Sequence, residues 1–135
     1  MDMLEEAREL FKRDKFSTEL TGAVIEQVSD GYAKCSLQIT PQHRNVIGAI
    51  MGGAIFTLAD FAFAIASNIG RPLTTSLTSQ ITFLSASKGN RLEAEAKCVK
   101  AGKKFSYFEM NVFDDLGVHV AVMTTTGAVI GDKIS

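Results

Sequence analysis

The sequence predicts an α+β domain in which one curved antiparallel sheet wraps a long apolar helix. Three observations carry that prediction. Residues 50–68, IMGGAIFTLADFAFAIASN, are apolar or small apart from a single carboxylate, Asp60. On both sides of this segment the side chains alternate apolar and polar with the period of a half-buried strand. Short breaks rich in Gly, Asn and Asp separate the alternating runs, as turns between antiparallel neighbours do. A helix apolar on every side needs lipid or protein around it, and strands with one apolar face need a cover. Each requirement answers the other, and 135 residues is the size of one domain, so the prediction is a single domain over residues 1–135.

The elements follow in order. Asp2 and Glu5 have the spacing of an N-cap and its N3 partner, and Leu4, Ala7 and Phe11 recur at helical intervals. A short amphipathic helix therefore opens the chain and ends near Lys12 and Arg13. Residues 20–28 and 32–39 alternate around a Ser-Asp-Gly turn, a hairpin in which Ala33, Cys35, Leu37 and Ile39 share one face. A loop with Pro41 and Gly48 leads into the apolar helix, which starts near Gly52 and is ended by Arg71-Pro72. Strand signals resume over residues 74–84, 91–100, 105–113 and 118–130. The short breaks SASKGN, AGKK and DDLG predict that these four strands are consecutive antiparallel neighbours, a four-strand meander.

Several function classes are excluded. Residues 47–67 reach the roughly twenty residues a bilayer requires. Against a membrane span, an acid at mid-helix costs about 2.5–3.5 kcal/mol on insertion, and the amphipathic strands would be left uncovered. A net charge of −1 without a Lys/Arg block speaks against a nucleic-acid partner. Cys35 and Cys98 stand far apart outside any CxxC pair, so they predict free thiols rather than a disulfide or a metal site. The charged N-terminus has no signal-peptide core, which predicts a cytoplasmic protein. Without a GxSxG elbow, HExxH, Walker loop or dinucleotide fingerprint, no cofactor is predicted.

The chemistry is concentrated in the apolar helix. Phe56 lies one turn, and Gly52 or Gly53 two turns, before Asp60, all near one face. Glycines at a helix start let a ligand approach the backbone, where free N–H groups and the positive dipole end can hold a developing negative charge. Asp60 in apolar surroundings has a raised pKa and suits acid/base or nucleophilic work. Seven residues at 1.5 Å separate Gly53 from Asp60 by about 10 Å, too far for both to act on one carbonyl. Two antiparallel copies of the helix across a two-fold axis would bring Asp60 of one to Gly52 and Gly53 of the other. On spacing alone, a partly exposed or loop-capping Asp60 and a Gly pair kept for close packing remain the simpler account.

His43, Asn45, Gly48, Met51-Gly52-Gly53, Leu58 and Asp60 together resemble the H-x-N-x-x-G-x-x-H-G-G-x-x-x-x-L-x-D signature of hotdog-fold acyl-CoA thioesterases of the PaaI, phenylacetyl-CoA thioesterase, type. The resemblance covers most of the chain and implies a hotdog fold, dimers whose sheets join, and further assembly into a homotetramer as a dimer of dimers. The implied reaction is hydrolysis of an acyl-CoA or aryl-CoA thioester. By similarity, Asp60 activates water or attacks as nucleophile, while the N–H of Gly52, with Gly53, polarises the carbonyl across the dimer interface. The resemblance also implies that Asn45 helps hold the carbonyl end and that Ser76 orients water. His43 belongs to the signature but, in a loop, reads as structural, and His119 reads as a packed strand residue.

One position departs from the signature. Met51 stands where the family has His, and a thioether neither exchanges a proton nor donates a strong hydrogen bond. The backbone N–H groups and Asp60 survive, which is compatible with thioesterase chemistry and a more apolar substrate pocket around Met51. A non-catalytic acyl-CoA or lipid-binding hotdog module is the alternative that this substitution raises.

Overall fold

The computed structural model describes residues 1–134. The first helix, α1 (Met3–Phe11), starts where its cap predicts, with the Glu5 N–H donating to Asp2 Oδ1 at 2.8 Å. Its Arg8 guanidinium donates to the Ile25 carbonyl at 2.6 and 3.0 Å, fixing α1 to the first strand. A π-helical turn at Phe16–Thr21 follows, with Asp14 Oδ1 accepting from the Ser17 N–H at 3.0 Å. Residues 20 and 21, expected to begin a strand, belong to this turn. It ends at Gly22 with a φ of 93°, so β1 (Val24–Ser29) starts later than the alternation suggested.

Beyond β1 the elements are β2 (Tyr32–Gln38), a 3-10 turn at Pro41–His43, α2 (Gly52–Asn68), β3 (Leu73–Phe83), β4 (Arg91–Ala101), β5 (Phe105–Asp114) and β6 (His119–Gly131). All strands form one antiparallel sheet in the order β1-β2-β4-β5-β6-β3. The meander is thus β4-β5-β6, and the expectation that β3 lies beside β4 is corrected: β3 pairs with β6 and forms an edge, while β4 pairs with β2. Crossing three strand spacings of about 4.8 Å takes about 14 Å, within reach of the seven residues 84–90 at about 3.3 Å each. A short break between strands therefore does not require a hairpin.

Packing favours the observed register. Ala33, Cys35 and Leu37 of β2 face Ala96, Ala94 and Leu92 of β4, all buried, while Lys34 faces Glu95 on the other side. The small β4 residues leave room for the bulky side of α2, where Leu58, Phe61 and Ile65 are fully covered. Two edge-to-face ring pairs lock the helix in place: Phe11–Phe61 at 5.8 Å and Phe63–Phe108 at 5.4 Å between centroids. Among the described residues no helix is long and apolar enough to cross a membrane.

The 84–90 crossover is pinned by one buried carboxylate. Asp114 Oδ2 accepts from Ser87 Oγ (2.9 Å) and the N–H groups of Lys88 (2.9 Å) and Gly89 (3.1 Å). Its Oδ1 accepts from the N–H groups of Leu116 (2.9 Å) and Val118 (2.8 Å), closing the β5–β6 turn. Burial pushes its pKa up, but the hydrogen bonds from Val118, Lys88, Ser87 and Leu116 outweigh it and hold the carboxyl at about 2.

Candidate functional site

The start of α2 is built to leave its amides free. Met51 occupies the N-cap position without a capping side-chain hydrogen bond, and its own N–H donates to the His43 carbonyl at 2.7 Å. Gly52 and Gly53 are the first two helical residues, whose N–H groups have no intrahelical carbonyl to reach. In front of Gly52 lies a cavity of about 430 Å³ walled by Arg44, Ile55, Phe83, Ser85 and Val120. Gly52 is tightly sited there, since a Cβ would stand 3.1 Å from Phe83 Cζ. The arrangement can bind an oxyanion at the backbone and an apolar group against the Phe83 ring.

The loop that delivers α2 is braced by Asn45 and His43. Asn45 Oδ1 accepts from the N–H groups of Ile47 and Ala49, each at 3.1 Å, and its N–H donates to the Ala49 carbonyl at 2.8 Å. Its Nδ2 is not used by these contacts. His43 Nδ1 lies 3.0 Å from the Thr40 N–H, and Nε2 lies 2.7 Å from the Thr21 carbonyl. The Thr40 N–H must find an acceptor, so the tautomer carries its proton on Nε2, and both ring nitrogens are engaged. His43 is a brace in the structure, as the sequence suggested. His119 likewise packs, stacked on Phe113 and 2.9 Å from Asn111 Oδ1 through Nε2.

Asp60 sits two turns into α2 on its open stripe, with Gly53, Phe56, Thr57 and Ala64, while Leu58, Ala59, Phe61 and Ala62 are buried. Burial raises its pKa above the ordinary carboxylate value, and the negative charge of Asp14 beside it adds to the rise. The glycines and Asp60 therefore share one face but are separated by about 10 Å of helix axis. Ser76 is exposed on the β3 edge opposite Gly127. Phe83 and Ser85 were not singled out by sequence reasoning. They reach Gly52 through the β3–β6 pairing and the crossover, and nothing in local periodicity signals that. Among the described residues no group of three or more His, Cys, Asp or Glu is placed to hold a metal ion.

The family model described as Thioesterase superfamily matches residues 47–121, more than half of the chain. The chain belongs to the thioesterase superfamily. Met51, Gly52, Gly53, Asp60 and Ser76 of this thioesterase fall inside the matched segment; His43 and Asn45 lie just before it. An Archaeoglobus fulgidus protein provisionally named as an esterase is 36% identical over 92% of this thioesterase and 81% of its own length. The Escherichia coli acyl-coenzyme A thioesterase PaaI is 26% identical over 97% of the chain and 94% of its own. Its solved structure superposes with a TM-score of 0.90 over 98% of this chain and 97% of that one, at 23% identity. A Streptococcus mutans protein solved bound to acetyl-CoA matches with a TM-score of 0.78, at 25% identity, over 83% of this chain and 91% of its own. The thioesterase is a PaaI-type hotdog protein and a thioester hydrolase, its six-stranded sheet curling around α2.

Proposed function

We propose that the protein hydrolyses acyl-CoA thioesters at composite sites formed between two copies of the chain. The single observation that carries this reading is the open stripe of α2. It presents unbonded glycine amides at one end and a desolvated carboxylate two turns away, a pair that only a second, antiparallel helix can bring together. The edge strand β3 supports such pairing. Eleven residues long, it exposes Leu77 and Phe83 and leaves one row of backbone groups without a strand partner in the sheet. Pairing β3 with its own copy joins two six-stranded sheets, and packing of such dimers gives a homotetramer.

In this mechanism Asp60 removes a proton from water as the water oxygen bonds to the thioester carbonyl carbon, or bonds to that carbon itself. The carbonyl oxygen becomes an oxyanion held by the N–H groups of Gly52 and Gly53 of the second copy. On the water path, collapse breaks the C–S bond and the proton on Asp60 leaves with the CoA thiolate. On the nucleophilic path, collapse expels the thiolate and leaves an Asp60–acyl anhydride, which a water molecule hydrolyses to the free acid and the restored carboxylate. Asn45 holds the loop that carries the amides and can offer Nδ2 to the carbonyl, and Ser76 orients the water. Met51 lines the mouth as an apolar wall.

Met51 also favours a second reading, a non-catalytic acyl-CoA or lipid-binding module. Free CoA released from a panel of acyl and aryl thioesters, separated by chromatography, distinguishes the two. Asp60→Asn lowers turnover by about 100-fold or more. Folding survives, because a raised folded pKa means that the ionised group opposes folding. Its contribution is full below the unfolded pKa and is lost as pH rises through the folded one, so Asn is at least as stable at neutral pH. Unchanged turnover in Asp60→Asn removes Asp60 from the mechanism, and tight binding with no turnover on any thioester establishes the binding module.

A further inference from the structure

At the other end of α2, a second cavity of about 180 Å³ lies between the helix C-terminus and the basic β4–β5 turn. Ser67, Arg71, Thr74, Lys103, Ser106 and Phe108 line it. Two of these carry buried polar atoms with no partner in the protein: Arg71 Nη1 and Ser106 Oγ. Ser106 is 7% exposed and points from the inner face of β5. The Arg71 guanidinium stands over the Phe108 ring, 5.8 Å from its centroid, and Nη2 reaches only the Cys98 sulfur at 3.9 Å. Among the described residues no carboxylate forms an ion pair with Arg71, while Arg91, Lys12, Lys15 and Lys34 all have acidic partners. The tight β1–β2 turn makes room for it: a Cβ at Gly31 would fall 2.6 Å from Nη1.

A guanidinium has donors only and stays charged, so an acceptor bearing negative charge completes it best. A buried donor left unmatched costs free energy, and here a hydroxyl able to donate lines the same cavity with Lys103 as a second cation. We propose that this cavity binds a small oxyanion, a carboxylate or phosphate group, held by Arg71 and Ser106. The 180 Å³ cavity is far above the roughly 10–15 Å³ that a single water requires, leaving room for such a group and a short stem. The group can come from a free anion or from the far end of an acyl chain. Ser67 follows Asp60 by seven residues, about 10 Å along the helix axis, a separation that matches the length of an acyl chain of several carbons with a terminal carboxylate. The free-anion source is independent of the proposed hydrolysis, whereas the acyl source rests on it.

Calorimetric titration of the full chain with phosphate and glutarate tests the first source. Titration of the Asp60→Asn variant with adipoyl-CoA and hexanoyl-CoA tests the second, since the two ligands share a six-carbon acyl chain and differ in the terminal carboxylate. Binding of glutarate or phosphate that weakens about tenfold or more in Arg71→Met, and less in Arg71→Lys, supports the site with a free anion. An advantage of adipoyl-CoA over hexanoyl-CoA that vanishes in Arg71→Met supports it with an acyl carboxylate. If both CoA esters bind equally and no free anion binds, or if Arg71→Met binds every probe as the native chain does, the proposal is overturned. Failure of hydrolysis alone leaves the anion titrations unaffected. Should Arg71→Met fail to fold, Ser106→Ala carries the same test, with a smaller loss of affinity expected and an unchanged affinity overturning the site.

Discussion

Replacing Asp114 by Ala removes the buried carboxylate that ties residues 87–89 of the crossover to the β5–β6 turn, leaving the contacts of Asp115 Oδ1 with the Asn90 and Arg91 N–H groups at the end of the crossover. The carboxylate accepts five hydrogen bonds between 2.8 and 3.1 Å, one of them from the N–H of buried Gly89. Its pKa falls from 3.8 to about 2, which at 1.36 kcal/mol per unit is about 2 kcal/mol of stability at neutral pH. Stranding buried donors adds about 1–2 kcal/mol, for a total near 3–4 kcal/mol. With a urea m-value of about 2 kcal/mol/M, the unfolding midpoint drops by about 1.5–2 M. The comparison is made at one protomer concentration, because association shifts apparent stability. The sign with pH follows from the depressed pKa. The contribution is complete above the unfolded value of 3.8 and is lost as pH falls through about 2. The stability gap between native and Asp114→Asn proteins therefore narrows between about pH 5 and pH 2. Ser85 and Ser87 of the crossover wall the Gly52 cavity, so turnover falls with stability. A loss below about 0.5 kcal/mol in Asp114→Ala at pH 7 would refute the claim that this carboxylate organises the crossover.

Other perturbations separate neighbouring roles. Gly52→Ala pushes on Phe83, which is 53% exposed and can yield, so turnover falls about tenfold or more while thermal stability stays within about 1 kcal/mol. Gly53→Ala, whose Cβ would meet only Met51 Cγ at 3.9 Å, leaves that cavity intact; equal losses from the two variants in a steady-state assay would refute the distinction. Met51→His places a proton donor at the helix N-cap and raises kcat on a good thioester substrate; an unchanged kcat means that the amides and Asp60 suffice. Burial pushes the Cys35 thiol far above its ordinary pKa, with the Glu26 charge adding to the rise, so iodoacetamide labels Cys98 but not Cys35 in the folded protein. Mass spectrometry of the native digest reads the labelling, and modification of Cys35 before unfolding contradicts its burial.

How much of this was legible in the sequence depends on the range of the interaction that decides each feature. Local rules placed α1 through Asp2, ended α2 before Pro72 and picked the buried face of β2, because capping, proline geometry and pleat alternation act within a few residues. Alternation names a strand's faces but not its neighbour, and so β3 was expected beside β4 although it pairs with β6. The alternation across Leu20 and Gly22 was accidental: Leu20 is 72% exposed in a π-helical turn. The site divides in the same way. Gly52, Gly53 and Asp60 could be related because one helix fixes their spacing, whereas the walls at Phe83 and Ser85 depend on strand order, and the Arg71 cavity joins residues from five elements and the segments beside them.

That spacing also sets the hardest test. About 10 Å of rigid helix lies between Gly53 and Asp60, and side-chain rotation of an Asp moves its oxygens by only a few ångströms, so no rearrangement within one chain assembles the site. Leu77 is 57% exposed at the irregular point of β3, where the register with β6 shifts. Leu77→Asp puts a charge on the surface that the two-copy arrangement must cover and leaves the β6 side of the strand unchanged. Sizing should move from twice or four times 14.6 kDa to a single copy, with circular dichroism preserved and CoA release lost. Mixing monomeric Asp60→Asn and monomeric Gly52→Ala chains should restore nothing, whereas the same two substitutions in chains that associate should complement, since one mixed site then has both intact halves. A monomer with full turnover would refute the composite site, because it would require one helix to place both groups on a single carbonyl.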